Sequence, residues 1–205
     1  MSFTLISFLE SCISLKSLNL TLNEYNTEWA NTCASRLREG LGRNTSLISL
    51  TLTLNIFARQ YRRPFESCFG FHRISDDDVV PNISINSFTL TINDFSSGVN
   101  WRLSSGVLWS NYKSLHTLNV TLNQSDEKSV YRLRAFFDAA MKVNSLRTLR
   151  LKMNDLTFRN AVYPKYMLSR CVVKSRSLEF IELTICHYGD VGSWLETVEW
   201  KNSDD

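Results

Sequence analysis

Six copies of one short phrase constrain the fold of this chain more than any other feature of its sequence. The phrase alternates apolar and polar residues, as a half-buried strand does, and five copies end on asparagine. The copies are LNLTLN, LTLTLN, FTLTIN, LNVTLN, LRLKMN and IELTIC, which end at Asn23, Asn55, Asn93, Asn123, Asn154 and Cys186. A phrase that returns at a near-constant interval marks a structural period, so the chain is predicted to stack repeated units.

Alignment of the six copies extends the shared pattern to Leu-x-x-Leu-x-Leu-x-x-Asn/Cys, the pattern of leucine-rich repeats. Position one is apolar throughout: Leu15, Leu47, Ile85, Leu115, Leu146 and Leu178. The spacings between these residues are 32, 38, 30, 31 and 32, which leaves room for a helix between strands. We therefore predict an α/β leucine-rich-repeat solenoid, a curved horseshoe with a parallel β-sheet on the concave face and helices on the convex face.

The repeat also predicts where the elements lie. One domain, residues 1–205, should hold about six repeats, with strands near 15–22, 47–54, 85–92, 115–122, 146–153 and 178–185. Apolar residues at helical spacing predict helices around Leu37 and Leu41, around Ala140 and Met141, and around Cys171. Residues 75–81 should form a surface loop. Residues 193–200, with Trp194, Leu195 and Val198, should cap the last repeat.

Position nine is predicted to form a structural ladder of Asn23, Asn55, Asn93, Asn123, Asn154 and Cys186. An asparagine side chain both donates and accepts hydrogen bonds, so it can satisfy backbone groups where the chain leaves the sheet. Position eight departs from the general pattern, because it is apolar in all six units: Leu22, Leu54, Ile92, Leu122, Met153 and Ile185.

The open face of the sheet changes character along the chain. The first four units present Ser, Asn and Thr, including a row of threonines at position seven. The last two units present Arg147, Arg150 and Lys152, then Glu179, Phe180 and Glu182. Two explanations compete for this patch without excluding each other. In one, the charges pair sideways, Arg147 with Glu179 and Arg150 with Glu182; in the other, the pairs frame Phe180 as the anchor of a protein-binding site.

Composition narrows the function classes. Hydrophobic residues make up 43% of the chain, charged residues 21%, and the net charge is +3, which argues against disorder, nucleic-acid binding and membrane insertion. The five cysteines form no Cys-x-x-Cys pair and the N-terminal segment has no basic region, so reduced thiols and a cytoplasmic location are predicted. The Asn-x-Ser/Thr sequons are interpreted as incidental to the repeat.

Catalysis has little support in the sequence. Asp76, Asp77 and Asp78 are adjacent in a loop, and the three histidines, His72, His116 and His187, fall in different units. No metal-ligand spacing, nucleophile motif or phosphate loop occurs, so we predict a binding protein with no cofactor.

The phrases before two strands, RNTSL at 43–47 and KVNSL at 142–146, carry a family resemblance. The chain resembles the ribonuclease-inhibitor-like class of leucine-rich repeats, and most closely the C-terminal repeats of NOD-like (NACHT-LRR) immune receptors. That resemblance implies a protein–protein interaction module that senses ligands and autoinhibits beside a fused or separate NACHT module. The alternative is a stand-alone cytosolic inhibitor or adaptor of the ribonuclease-inhibitor-like class.

Overall fold

The computed structural model describes residues 8–9, 11–24, 37, 40–57, 84–94, 112–123, 140–154, 169, 177–189 and 192–201. These residues form one seven-stranded sheet whose strands follow chain order from β1 to β7. The strands are β1 Ser17–Glu24, β2 Ser49–Ile56, β3 Ser87–Asp94, β4 Thr117–Asn123, β5 Thr148–Asn154, β6 Phe180–Gly189 and β7 Gly192–Lys201. The first six are parallel, and β7 runs antiparallel to β6.

Equal repeat positions lie opposite each other at every parallel junction. Asn23 pairs with Asn55 in the register, and the alignment continues through Asn93, Asn123 and Asn154 to Cys186. Register in a strand sets which face each side chain takes, because successive residues point to opposite faces. The regular alternation of the sequence therefore gives the sheet one apolar face and one polar face.

The apolar face carries positions four, six and eight of each unit. In β2, Leu50, Leu52 and Leu54 are almost fully buried, and the equivalent residues of β3 to β6 are buried as well. Each fully buried side chain of this size contributes about 1.5–3 kcal/mol from removal of its surface from water. The apolar position eight thus belongs to the core, and the alternation continues to the end of each strand.

Position one lies in the turn before the strand, and its side chain is buried in units two to six and half-buried in the first unit. Leu115 and Leu146 close such turns, with backbone N–H groups that donate to Tyr112 and Val143 carbonyl oxygens at 3.2 and 3.1 Å. Each parallel strand therefore begins at position three, two residues after the first motif residue. Tyr112 packs against the core from the same turn, with its ring stacked on that of Phe88 at 6.3 Å between centroids.

A buried asparagine shapes the turn before β2. Asn44, 4% exposed, donates from Nδ2 to the Leu9 carbonyl oxygen at 2.6 Å. Its Oδ1 accepts hydrogen bonds from the backbone N–H groups of Ser46 at 3.0 Å and Leu47 at 2.8 Å. Asn44 begins one of the Asn-x-Ser/Thr sequons, and this burial leaves no room for a glycan on it in the folded chain.

Helical backbone occurs among the described residues at 8–9, 11, 37, 40–43, 140 and 169. Leu37, Leu41 and Ala140, which the apolar spacing placed in helices, are buried in the core. The other residues of the predicted helical stripes and the predicted loop at 75–81 lie outside the described residues. Within the described part of the chain, no helix is long and apolar enough to cross a bilayer.

The C-terminal strand covers β6, and of the predicted capping residues Val198 is confirmed. Val198 and Trp200 of β7 pack against the core. The prediction that Leu195 is a capping residue was wrong, because this side chain is 67% exposed on the opposite face of the strand. The side chain of Trp194 lies outside the described residues. An antiparallel strand presents alternate residues to each face, so Val198 and Trp200 share a face that Leu195 cannot join.

Candidate functional site on the open face of the sheet

The polar face of the sheet, here called the open face, carries positions three, five, seven and nine. Across β1 to β4 this face is uncharged and regular. Position seven is a row of threonines, Thr21, Thr53, Thr91 and Thr121, aligned in register. β-Branched threonine is favoured on an exposed strand, which accounts for the row without a ligand. Position five contains the pair Asn119 and Thr89, whose side chains hydrogen-bond at 3.2 Å.

The asparagines of position nine form a continuous ladder on this face. Each Nδ2 donates to the Oδ1 of the asparagine on the preceding strand, at 2.5 to 2.7 Å. The four bonds run Asn55 to Asn23, Asn93 to Asn55, Asn123 to Asn93 and Asn154 to Asn123. The expectation that these amides satisfy backbone groups needs correction, since their hydrogen bonds join side chain to side chain.

The apolar residue at position eight explains this arrangement. Because position eight faces the core, position nine falls on the open face, and the strand continues through it. Asn23 is exposed, and the other four asparagines are half-buried by their neighbours. Cys186 ends the row opposite Asn154 as a free thiol, and no hydrogen bond joins it to that asparagine in the described part of the structure.

Two ion pairs join neighbouring units at β5 and β6, as predicted. One lies just before the strands, and the other links the two strands themselves. Arg147 Nη1 lies 3.4 Å from Glu179 Oε1, and Arg150 Nε lies 3.2 Å from Glu182 Oε2. Arg147 also donates to the Ser177 carbonyl oxygen at 3.1 Å. Exposed pairs of this kind contribute about 0–1 kcal/mol to stability, so their main effect is to hold the side chains in place.

Phe180 lies between two cations. The Arg150 guanidinium carbon is 5.0 Å from the centre of the Phe180 ring, and the Lys201 ammonium is 5.8 Å from it. Both distances fall within the range of cation–π attraction. Arg150 therefore joins a carboxylate on one side to an aromatic ring on the other. Lys201 was missing from the sequence-based site because it reaches Phe180 from the antiparallel strand, outside the repeat.

Lys152 completes the charged part of the open face. It is exposed, and its register neighbours are Thr121 and Thr184. Within the described residues Lys152 has no ion pair, whereas Arg147 and Arg150 each have one. We call Arg147, Arg150, Lys152, Glu179, Phe180, Glu182 and Lys201 the charged patch. Its four cations outnumber its two carboxylates, but Lys201 also pairs with Glu199 beside the patch at 4.0 Å, which leaves Lys152 as the cation without an ion pair among the described residues.

Comparisons with protein-family models, with curated proteins and with solved structures found no match. Of the residues considered for catalysis, Asp76, Asp77, Asp78 and His72 lie outside the described residues. His116 is exposed, and its Nδ1 lies 3.0 Å from Asn86 Nδ2 and 2.6 Å from the Ser114 carbonyl oxygen. The described residues include no group of three or more potential metal ligands.

A row of serines just before position one was missed by the sequence analysis. Ser46 Oγ donates to the Leu15 carbonyl oxygen at 3.0 Å, and Ser145 Oγ makes the equivalent bond to Leu115 at 2.9 Å. The signal was present, because serine precedes position one in all six units. These hydroxyls tie the turn of one unit to the turn of the preceding unit.

Proposed function

We propose that the chain is a leucine-rich-repeat module that binds a protein partner through the charged patch. In this proposal the sheet is the concave face of a curved solenoid, with helices on its convex face. The in-register repetition of six parallel strands supports the solenoid, because units that each bury one face against their neighbours stack in this way. The resemblance to NOD-like receptor repeats supports a sensing and autoinhibitory role beside a NACHT module.

The observation that carries the binding proposal is the contact of Arg150 with Phe180. Arginine and aromatic side chains are enriched among the residues that dominate binding energy at protein interfaces. Here Glu182 and Phe180 both contact the guanidinium, and these contacts favour the orientation that a partner would meet. A partner with carboxylates opposite Lys152 and Arg147 matches the excess of positive charge.

The proposal places the protein in the cytoplasm without a cofactor or catalytic role. Cys12 and Cys186 are free thiols, which suits a reducing compartment. The stand-alone inhibitor or adaptor would use the same surface, so the binding test below applies to it equally.

The test is affinity capture from cell extract with matched surface variants. Arg150→Glu combined with Phe180→Ala should lose the proteins that the unaltered chain captures, because it removes the fixed cation and the ring. Thr53→Ala combined with Thr91→Ala alters the uncharged part of the same face and should retain them. Both variants should melt within a few degrees of the unaltered protein. Loss of the captured proteins with the threonine variant, and their retention with the patch variant, would place binding on the uncharged units.

A further inference from the structure

Three sets of hydrogen bonds run from the later unit to the unit before it, although Arg147 and Arg150 donate the opposite way, to Ser177 and Glu182. In the serine row, three hydroxyls donate to the position-one carbonyl oxygen of the preceding unit. Ser46 bonds Leu15, Ser84 bonds Leu47 at 2.8 Å, and Ser145 bonds Leu115. The asparagine ladder has the same direction, since each Nδ2 donates to the Oδ1 of the preceding strand.

The backbone before each strand follows the same rule. At every parallel junction, the N–H groups of positions two and three both donate to the position-two carbonyl of the preceding unit, at 2.8 to 3.1 Å. The first junction illustrates it, where Ile48 and Ser49 donate to the Lys16 carbonyl oxygen. The last junction repeats it, where Glu179 and Phe180 donate to the Arg147 carbonyl oxygen.

By the same register, the first unit places a set of donors at the outer edge of β1, which we call the free edge because no described residue pairs with it. They are the Ser14 hydroxyl, the backbone N–H groups of Lys16 and Ser17, and the Asn23 amide. None of them has a hydrogen-bond partner in the described part of the chain. The core is also less covered at this edge, because Leu18 and Leu20 are half-buried whereas Leu50 and Leu52, their equivalents in β2, are 0% exposed.

The opposite end of the sheet is different. There β7 covers β6 as an antiparallel strand that has neither the serine nor the asparagine of the repeat. A dissimilar strand thus covers one end of the sheet. The other end presents the kinds of donor that bond a preceding unit elsewhere: the backbone N–H groups at five junctions, the asparagine amide at four and the serine hydroxyl at three.

We propose that the free edge of β1 binds a strand of this chain's own repeat motif, supplied by a partner polypeptide, in parallel and in the register of the existing junctions. Such a strand provides what the edge lacks: carbonyls at positions one and two, an asparagine Oδ1 at position nine, and apolar residues that cover Leu18 and Leu20. Strand addition to an open edge gains affinity from main-chain hydrogen bonds and specificity from alternate side chains. A second copy of this chain does not supply it, because strands β2 to β6 are paired on both sides, β7 lacks the asparagine, and the acceptors of β1 already bond the second unit.

The probe is a synthetic peptide with the sequence of residues 44–57, which spans the turn and strand of the second unit, extended by two lysines for solubility. Added to the full-length chain, it should slow amide hydrogen exchange at Lys16 and Ser17 by about tenfold or more, because these groups become hydrogen-bonded. Amides of β7 should be unchanged. A spin label on the peptide N terminus should broaden the NMR signals of residues near Ser14. A label on the peptide C terminus should broaden the NMR signals of residues near Asn23, as a parallel strand requires.

Two matched substitutions test the register. Asn23→Leu in the protein should weaken peptide binding several-fold, and the peptide with Asn55→Leu should weaken binding to the unaltered protein to a similar extent. Asn154→Leu, at the far end of the ladder, should leave peptide binding unchanged. The proposal is overturned by unaltered exchange at Lys16 and Ser17 at saturating peptide, by protection of β7 instead, or by spin labels that report an antiparallel strand.

Discussion

Asn123 and Asn93 lie in register on adjacent strands, and Nδ2 of Asn123 donates to Oδ1 of Asn93. Asn93 in turn donates to Asn55 at 2.6 Å, so its one side chain takes part in two ladder bonds. Asn23, at the edge, takes part in only one.

Removal of an interior amide should therefore cost more than removal of the terminal one. Asn93→Ala is expected to lower the free energy of unfolding by about 1–3 kcal/mol, because two partly buried hydrogen bonds are lost. Asn23→Ala should cost about half as much, since Asn23 takes part in one ladder bond and is itself exposed to water. Urea denaturation measures both losses, provided that the free energy of unfolding falls with urea concentration at the same slope in each variant. Equal losses, or none, would mean that the ladder does not stabilise the sheet.

The buried Asn44 should matter more to stability than any residue of the ladder. Asn44→Ala leaves the Leu9 carbonyl and the N–H groups of Ser46 and Leu47 without their partner, and we expect a loss of about 3 kcal/mol or more. Asn19 also begins a sequon but is exposed on β1, so Asn19→Ala should change stability by about 0.5 kcal/mol or less. Thermal melting of the two variants side by side makes the comparison.

Burial raises the pKa of Tyr112 to about 12, from its ordinary value of 10.0. The unfolded chain therefore loses the phenolic proton before the folded chain does. The stability due to neutral Tyr112 is complete below about pH 10 and is lost as the pH rises through about 12, for a total of about 3 kcal/mol. Tyr112→Phe should remove this part of the alkaline decline, measured as unfolding midpoints from pH 9 to 12. An identical decline in the variant would contradict the assignment to Tyr112.

The cap formed by β7 should depend on its core-facing residues alone. Trp200→Ala is expected to destabilise the chain by about 1–3 kcal/mol, because Trp200 packs partly buried against the core. Leu195→Ala, on the exposed side of the same strand, should change stability by about 0.5 kcal/mol or less. Chemical denaturation distinguishes them, and a larger effect at Leu195 would mean that the strand covers the core with its other face.

The two faces of the sheet and the ion pairs between equal repeat positions could be predicted from the sequence, because both follow from the pattern within one repeat unit. Alternation of leucine with polar residues gave the two faces, and equal repeat positions predicted the pairing of Arg147 with Glu179 and Arg150 with Glu182. The role of the asparagines was harder to predict, because it depends on whether the strand ends before position nine or continues through it. The apolar position eight was the signal for continuation. Arg150 contacts Phe180 diagonally, since its register partner on the next strand is Glu182. Lys201 contacts Phe180 from the antiparallel strand β7. Neither contact joins equal repeat positions, so the repeat pattern does not predict them.

The register of the parallel strands is the same although the intervals between them range from 30 to 38 residues. Length differences are therefore absorbed between the strands, and the pairing of the sheet does not change. A gene segment that encodes one whole unit could be duplicated or deleted with the same backbone junctions, because the N–H groups before each strand donate to the preceding unit and the position-two carbonyl accepts from the next. Such an architecture lets the width of the sheet change by whole units, while β7 still pairs with the last parallel strand.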